Sequence, residues 1–484
     1  MHLSKTLDWI KKLAAMEHRR AGSKNGQKTE AYLYKEFCKI APDNVHKHAI
    51  PVTLWEAEKW NVALVDPETD KTKTVPSHYI PYTQFAEKTR ASLIYAGHGK
   101  KKDLKGLDFK NKIVVVDLTF PMLESAKLAK LALSIHDPEN KIKPKLHEAT
   151  WIRPAWHVYD KAVRQGAVGF IGILSNQPGG YNSYYAPYGF KEGDRILDKP
   201  IPGFWIGKNE GELIRKAARA GQTVQVSLKG SRRQSVTHNI YGILPGESDE
   251  VIILASHHDS PFQGVTEDAS GVATVLTIAS ELAARKKPLK KTVLFMATAG
   301  HFYGSIGTRR FIEEHPEIIR KTVAEIHIEH IAMEAKEKDG KLILTGNPEP
   351  AGIFCNYNRK SVELVSEIID RHNLTPSFVL PASGPLGKYP PTDGGDFYEH
   401  GVPVFNMISN PVYLLVDADG MDKLCKERLI PTAKAFCRLI EQLDDVHVGE
   451  LTDKHYPLKK AVGSFASWLT ARKIVKQYGK GVSV

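Results

Sequence analysis

Residues 251–271 combine a short apolar run with a cluster of imidazole and carboxylate side chains. The apolar residues 251–255 are typical of a buried strand, and a Pro/Gly loop lies within the polar stretch that follows. The side chains that could do chemistry here are His257, His258, Asp259, Glu267 and Asp268. Imidazole nitrogens and carboxylate oxygens can hold a transition metal or transfer protons. Open α/β sheets place such groups at the carboxyl ends of their strands, so the spacing predicts a ligand site. A polar turn with an incidental His pair is the alternative.

Alternating strand-like and helix-like segments surround this stretch from about residue 235 onward. Buried strands are predicted at 239–244, 251–255, 292–297, within 323–333, and at 402–408. Helical periodicity marks 271–285, 304–314, 361–373 and 422–443. This alternation favours an α/β fold, in which helices sandwich a mixed, mostly parallel sheet.

Residues 51–234 have a different texture, with short β-like runs separated by turns. Two amphipathic helices, predicted at 3–17 and 27–40, precede this region. Strands within it are predicted at 91–96, 112–118, 167–174 and 201–206. A Tyr-, Gly- and Pro-rich loop at 177–188 is as typical of a surface loop as of a binding loop.

Composition limits the classes of function. The 484 residues are 42% hydrophobic and 25% charged, which is typical of a globular protein with a large core. The net charge is +12, but the lysines lie in short separate clusters and form no long basic stripe. We therefore expect a small-molecule substrate and no nucleic-acid partner. Four separated cysteines without a CxxC motif favour reduced thiols and a cytoplasmic location. The sequence has no run of about eighteen apolar residues, so we expect no membrane span. Formation of a homo-oligomer is left open.

Landmarks along most of the chain resemble one known family. They are RRAGS at 19–23, HNIYGILPGESDEVIILASHHDS at 238–260, DASGVATVLTIASEL at 268–282, YGSIGTRRF at 303–311, TDGGDFYEHGVPVF at 392–405 and DADGMDKL at 417–424. Together they resemble metallopeptidase family 28, which contains the co-catalytic zinc aminopeptidases and glutamate-carboxypeptidase-like proteins. The resemblance implies a zinc-exopeptidase-like catalytic domain formed by residues 1–50 and 235–484. It also implies an inserted β-rich protease-associated domain at 51–234.

The resemblance further implies where the ligands of two metals would stand. The opening His of the family corresponds to His257, and the Asp that fixes its ring corresponds to Asp259. The metal-bridging carboxylate position holds Glu267, and the strand-borne carboxylate position holds Glu329. The family has a pair of glutamates, a general base followed by a ligand, and these positions hold Thr298 and Ala299. The family's last His corresponds to Leu415, if Asp419 is aligned with the Asp that follows that His in the family.

The replacements affect the two metals unequally. Both private ligands of one metal have become the apolar Ala299 and Leu415. The three ligands of the other metal correspond to His257, Glu267 and Glu329, which can all ligate. The sequence therefore predicts a single-metal site with one histidine, two carboxylates and open positions. Such a set suits one divalent transition metal, namely Zn, Mn or Fe.

A hydrolase built on this site needs a general base, because Thr298 stands where the family has its own. His301, three residues further in the same loop, is the first candidate. The alternatives are His258, His327 and His330, and Asp268, Asp393 and Asp396 are further candidates for a role in the site.

Three hypotheses follow from this pattern. The first is a metal-dependent hydrolase that acts on an amide, amine or related C–N bond and is not a standard di-zinc aminopeptidase. The second is a non-catalytic member that uses a peptidase-like fold for binding or assembly. The third is a one-metal aminopeptidase with His301 as a substitute base.

Overall fold

The computed structural model describes residues 1–147, 153–185, 199–384, 386–453, 472 and 476. The helices in these ranges are α1 (Leu3–Ala14), α2 (Lys24–Ile40), α3 (Ser125–Leu131), α4 (Arg153–Arg164), α5 (Lys208–Arg219), α6 (Ser270–Ala283), α7 (Ile306–Glu314), α8 (Pro316–Lys321), α9 (Arg359–His372), α10 (Gly394–Glu399), α11 (Lys426–Leu443) and α12 (Val448–Leu451). The strands are β1 (Val45–Val65), β2 (Thr72–Val75), β3 (His78–Tyr79), β4 (Ala86–Tyr95), β5 (Ile113–Leu118), β6 (Met122–Glu124), β7 (Ser134–His136), β8 (Lys145–His147), β9 (Gly169–Leu174), β10 (Gly203–Gly207), β11 (Thr223–Leu244), β12 (Val251–His257), β13 (Thr292–Thr298), β14 (Thr322–Ile328), β15 (Met333–Lys338), β16 (Lys341–Pro348), β17 (Ala351–Cys355), β18 (Ser377–Pro381) and β19 (Val404–Ser409).

One mixed sheet of fifteen strands runs through the described part of the chain. Its order is β3-β10-β9-β5-β4-β11-β13-β12-β14-β19-β17-β18-β7, and β1 pairs with both β11 and β2. The strands that lead to the predicted site, β12, β13, β14 and β19, pair in parallel. Their carboxyl ends therefore meet at one edge, where α/β folds place ligands. The predicted α/β fold with a mixed, mostly parallel sheet is confirmed.

The alternation of side chains along β12 explains why this sheet is covered on both faces. Ile252 and Leu254 belong to an apolar cluster that includes residues of α1, α2, α6, α9 and α11. Ile253 and Ala255 belong to a second cluster with residues of α7 and α10. Successive side chains of a strand point to opposite faces, so a continuously apolar strand requires cover on both.

The full length of two strands was not predicted, since only the 239–244 end of β11 was expected. The antiparallel pair β1 and β11 extends from Val45 opposite Gly242 to Leu64 opposite Val224. One end of β11 pairs with β4 and the other with β13, so this strand connects two portions of the sheet. The predicted domain boundaries at residues 51 and 234 fall inside these strands, and the division into domains stays a prediction.

Residues 51–234 contribute the parallel strands β4, β5, β9 and β10 to the sheet. Their apolar cluster also includes Phe262, Phe302, Tyr413 and Leu415, which belong to loops of the second half of the chain. Only part of the predicted 177–188 loop, residues 177–185, lies inside the described ranges. No described helix is long and apolar enough to cross a membrane.

Candidate metal centre

His257 is the last residue of β12, a strand that is buried along its whole length. Its Nδ1 lies 3.0 Å from the backbone oxygen of Asp259, a bond that fixes the ring. The opposite nitrogen, Nε2, then faces Glu267 and lies 3.1 Å from Glu267 Oε1. A histidine that donates through one nitrogen to a carbonyl offers the other as a ligand or a base.

The turn that carries Glu267 is held by backbone hydrogen bonds. The Asp419 carboxylate accepts the backbone N–H of Thr266 at 2.9 and 3.0 Å and that of Glu267 at 3.0 Å. The guanidinium of Arg19 donates to the carbonyl oxygens of Gln263 and Gly264 in the same loop. This support fixes the position of the Glu267 carboxylate opposite His257.

Glu329 and His330 follow β14 directly. The Glu329 N–H donates to the Met407 oxygen of β19, and His330 Nδ1 lies 2.7 Å from the Ser409 oxygen. His330 Nε2 is thereby directed to Glu267 Oε2, at 2.8 Å, and lies 3.7 Å from Glu329 Oε2. The ligand atoms of His257, Glu267 and His330 lie within 4.8 Å of one another.

Several polar atoms of this region are buried and have no hydrogen-bond partner among the described residues. They are His257 Nε2, Glu267 Oε1, His327 Nε2, Glu329 Oε1 and His330 Nε2. His257 Nε2 lies 3.1 Å from Glu267 Oε1, and His327 Nε2 lies 3.1 Å from Glu329 Oε1, but neither pair has the alignment of a hydrogen bond. Leaving a buried polar atom unpaired costs roughly 1–3 kcal/mol, so a cluster of such atoms favours a bound partner. Two imidazoles and two carboxylates are a donor set that fits a divalent transition metal.

The electrostatics of the cluster also favour a cation. Burial disfavours the charged ring of His257, but Glu267 and Glu329 outweigh burial and raise its pKa well above the ordinary value. Likewise, burial opposes charge on Glu267, yet His330 and His257 hold its pKa well below the usual range. The same carboxylates raise the pKa of His330 to about 9 against the effect of burial. Protons and metal ions compete for the same histidine nitrogens. These carboxylates therefore stabilise a positive charge at those nitrogens, whether a proton or a metal ion carries it.

His301 lies beside this cluster and is oriented by Asp393. The His301 ring stacks on that of His257 with centroids 4.1 Å apart, and its Nδ1 lies 2.7 Å from Asp393 Oδ1. The Asp393 carboxylate also accepts hydroxyl hydrogen bonds from Ser305 at 2.7 Å, Thr298 at 2.9 Å and Thr308 at 3.1 Å. One ligand atom of His301 lies within 4.8 Å of those of His257 and Glu329.

The positions implied for a second metal's ligands are apolar in the structure as well. Ala299 is fully buried, and its N–H donates to Asn239 Oδ1 at 2.9 Å. Leu415 is 4% exposed and belongs to the same apolar cluster as Ala299 and Phe302. The hydroxyl of Thr298 is engaged with Asp393, so it points to a structural partner.

The remaining sequence candidates are placed differently. His258 is next to His257 in extended backbone and points the opposite way, with Nε2 2.9 Å from the His238 oxygen. The Asp259 carboxylate accepts the N–H groups of His301 and Phe302 and so holds their loop. The structure brings neither side chain into the group of unpaired atoms.

Three further candidates surround the cluster. Asp268 accepts from the Ser256 hydroxyl and from the N–H groups of Gly271 and His330, and burial raises its pKa to about 7. His327 lies between two glutamates, with Nδ1 3.0 Å from Glu325 Oε1 and Nε2 3.1 Å from Glu329 Oε1. Asp396 is buried in α10.

Sequence reasoning missed two features of the centre. It assigned His330 to the possible bases, whereas the structure places His330 Nε2 among the ligand atoms. It also left the role of Asp393 open, whereas the structure places Asp393 behind His301. One signal for His330 was available in the sequence. Glu329 and His330 are adjacent at the end of a strand, and both side chains can reach one ion where the backbone bends.

A known family resembles the part of the chain that carries the cluster. Residues 239–428 match the sequence model of the family described as Peptidase family M28. This range contains β12, β14 and every residue of the cluster, so the similarity to that family includes the candidate metal centre.

Two curated relatives match part of the chain. A glutamate carboxypeptidase 2 homolog of Caenorhabditis elegans is 27% identical over 137 residues, which are 26% of this chain and 18% of the relative. Its Caenorhabditis briggsae counterpart is 24% identical over 168 residues, 29% of this chain and 22% of the relative. The chain thus spans about a fifth of the length of the curated relatives it matches.

Several solved structures can be superposed over almost the whole length of the chain, at low sequence identity. A peptidase M28 precursor from Shewanella amazonensis has a TM-score of 0.66 at 16% identity and covers 92% of this chain and 93% of its own. A zinc aminopeptidase from Bacillus subtilis has a TM-score of 0.64 at 15% identity, covering 93% and 98%. An aminopeptidase from Aneurinibacillus sp. strain AM-1 has a TM-score of 0.60 at 19% identity, covering 91% and 94%. These likenesses show the fold.

Proposed function

We propose that this protein is a metal-dependent hydrolase that uses a single-metal site to cleave an amide or amine-type C–N bond of a small substrate. The observation that carries the proposal is that His257 belongs to two buried groups whose ligand atoms lie within 4.8 Å of one another, one with Glu267 and His330 and one with His301 and Glu329. Peptidases and aminopeptidases among the similar proteins support a peptide-type bond.

His257, Glu267, Glu329 and His330 would hold the metal. Two nitrogens and two carboxylates suit zinc, and they also suit Mn or Fe(II). When bound, the metal supplies Lewis-acid chemistry, which polarises a carbonyl and lowers the pKa of water. The apolar surroundings of Ala299 and Leu415 support one ion in place of two.

His301 is the base in this proposal. Asp393 accepts the Nδ1–H of His301 and orients the ring, and Nε2 would accept a proton from the attacking water. The protonated ring then donates that proton to the departing amine nitrogen. Asp393 stabilises the imidazolium that forms between these steps, because its carboxylate is buried and fixed by three hydroxyl groups.

Three variants test the proposal with zinc-loaded protein and a panel of aminoacyl and N-acyl amides. We expect His301→Gln to lose turnover while keeping the metal, because His301 would act on the substrate water. We expect His257→Ala to lose both, because it removes a ligand. The exposed histidine variant His46→Gln is the matched control and retains both.

The same panel separates the competing hypotheses. Protein that holds no metal and hydrolyses nothing would contradict the proposal and favour a non-catalytic, binding role. Cleavage confined to amides with a free amino group would instead assign a one-metal aminopeptidase.

A further inference from the structure

Arg19 and Arg20 are adjacent, but Arg19 is surrounded by backbone carbonyl groups and Arg20 by aromatic side chains. The Arg19 side chain is fully buried and donates to the backbone oxygens of His258, Leu13, Gln263 and Gly264. Its charge is neutralised by carbonyl dipoles, and its role is to brace the loop before Glu267. Arg19 also fixes the backbone from which Arg20 projects, since the Ser260 N–H donates to the Arg19 oxygen.

Arg20 makes no ion pair with a carboxylate in the described part of the chain. Its Nη1 lies 3.4 Å from the Tyr79 hydroxyl, and its guanidinium lies 5.7 Å from the centroid of the Tyr185 ring. Its Nε is buried and has no hydrogen-bond partner among the residues that the structure describes. The acid that acts on it electrostatically, Glu56, lies 3.6 Å from a different arginine, Arg233.

Two aromatic rings lie between this guanidinium and His301. Arg20 lies 5.7 Å from the Tyr185 ring, which packs against Phe302 at 5.6 Å, and Phe302 packs against His301 at 5.1 Å. Tyr82 lies beside these rings, and its hydroxyl donates to the Phe302 oxygen at 3.4 Å. A substrate whose reacting bond lies at His301 would therefore bring a second group to Arg20 by extending past Phe302 and Tyr185.

A largely buried guanidinium needs compensation for lost water. Aromatic faces supply part of it by cation–π attraction, but they do not satisfy the planar N–H donors. A carboxylate matches that fork with two parallel hydrogen bonds. We propose that Arg20 is a specificity-determining residue that binds a carboxylate of the substrate, so the substrates are acidic amides. This inference rests on the proposed hydrolase function.

Binding of small probes to the full-length, zinc-loaded protein tests the assignment. N-acetylglycine carries one carboxylate, N-acetylglycinamide is its neutral isostere, and inorganic phosphate is a different oxyanion. Titration calorimetry should show N-acetylglycine binding about tenfold or more tightly than the amide, as charge-assisted bidentate contacts are strong. Arg20→Gln should reduce this ratio to about one, whereas the matched variant Arg233→Gln should preserve it.

Arg20→Lys covers the case in which Arg20→Gln does not fold, as judged by circular dichroism. Lysine keeps the charge and loses the fork, so we expect it to lose several-fold of the acid preference. An acid preference that is absent from the wild type, or that persists in both variants, would overturn the inference. Tighter Arg20-dependent binding of phosphate than of N-acetylglycine would overturn the assignment to a carboxylate.

The inference and the proposed function fail in different ways. Arg20-dependent binding of N-acetylglycine in a protein that hydrolyses no amide would keep the inference and end the hydrolase proposal. Equal hydrolysis of acidic and neutral amides, unchanged by Arg20→Gln, would keep the hydrolase and end the inference.

Discussion

The two halves of the centre differ sharply although they lie side by side. On one side, His257, Glu267, Glu329 and His330 have buried nitrogen and oxygen atoms without hydrogen-bond partners among the described residues. On the other side, Ala299 and Leu415 pack in an apolar cluster that continues into the core of residues 51–234. If the metal ligands had been lost at random, apolar replacements would be expected on both sides of the centre.

The apolar half is integrated into the packing. The Leu415 oxygen accepts the N–H of Tyr185, and the Asp417 carboxylate accepts the Ser183 hydroxyl, so this loop is bonded to the 177–185 segment. The difference is that one half of the centre is part of a continuous apolar core, while the other half has buried donors without partners among the described residues. The proposed single-metal site agrees with both observations.

The largest effect is expected for His257→Ala. Removal of this ligand should lower metal affinity by more than about a hundredfold, since even groups that only orient a ligand are worth about 10–100-fold. Metal content after dialysis, measured by atomic emission, checks it. His258→Ala is the matched control, because that ring points away and should retain the metal. Equal metal loss from both variants would contradict the geometry.

Ala299→Glu restores an acid to the apolar half. The Ala299 side chain is fully buried, so the introduced carboxylate would lose its water, and we expect a loss of about 3 kcal/mol or more in the free energy of unfolding. Urea denaturation measures this change. The same substitution at the exposed Ala283 should change stability by less than about 0.5 kcal/mol. A stable Ala299→Glu protein that binds two metals would show that this half is a vacated metal site.

Asp393→Asn separates orientation from ligation. Loss of the charged partner of His301 should lower kcat by about 10–100-fold and leave the metal content unchanged. Ser305→Ala, which removes one of the donors to Asp393 and keeps the His301 bond, should have a smaller effect. Loss of metal from Asp393→Asn would instead identify His301 as a ligand.

The smallest effect is expected for Asp419→Asn, which weakens the support of the Glu267 turn. An amide has one acceptor oxygen where Asp419 uses two, so about 1–2 kcal/mol of stability should be lost. Thermal or urea unfolding measures it, with the exposed Asp422→Asn as the control. Unchanged stability would mean that the turn is held without Asp419.

Much of the central sheet was predictable from the sequence because its strands are apolar on both faces. Predicted 251–255 became Val251–His257, and predicted 112–118 became Ile113–Leu118. The predicted helix 361–373 became Arg359–His372, whose Asn358 cap accepts the Ser361 N–H. In each case local periodicity and tertiary burial agree.

The long pair β1 and β11 was not predictable in the same way. Its residues pair with partners 160 to 197 positions away in the chain, and many of its side chains are exposed or half-buried. No local pattern records such a register. In the centre, the spacing identified His257, Glu267 and Glu329 as candidates. The direction of the His330 ring depends on its bond to Ser409 of another strand, which spacing does not reveal.

Anomalous scattering at the metal absorption edges, on crystals of the purified protein, tests the single-metal centre most directly. The proposed function predicts one ion per chain, coordinated by His257, Glu267, Glu329 and His330, and no anomalous peak beside Ala299 and Leu415. Two ions, or one ion held on the Ala299 side, would contradict the account.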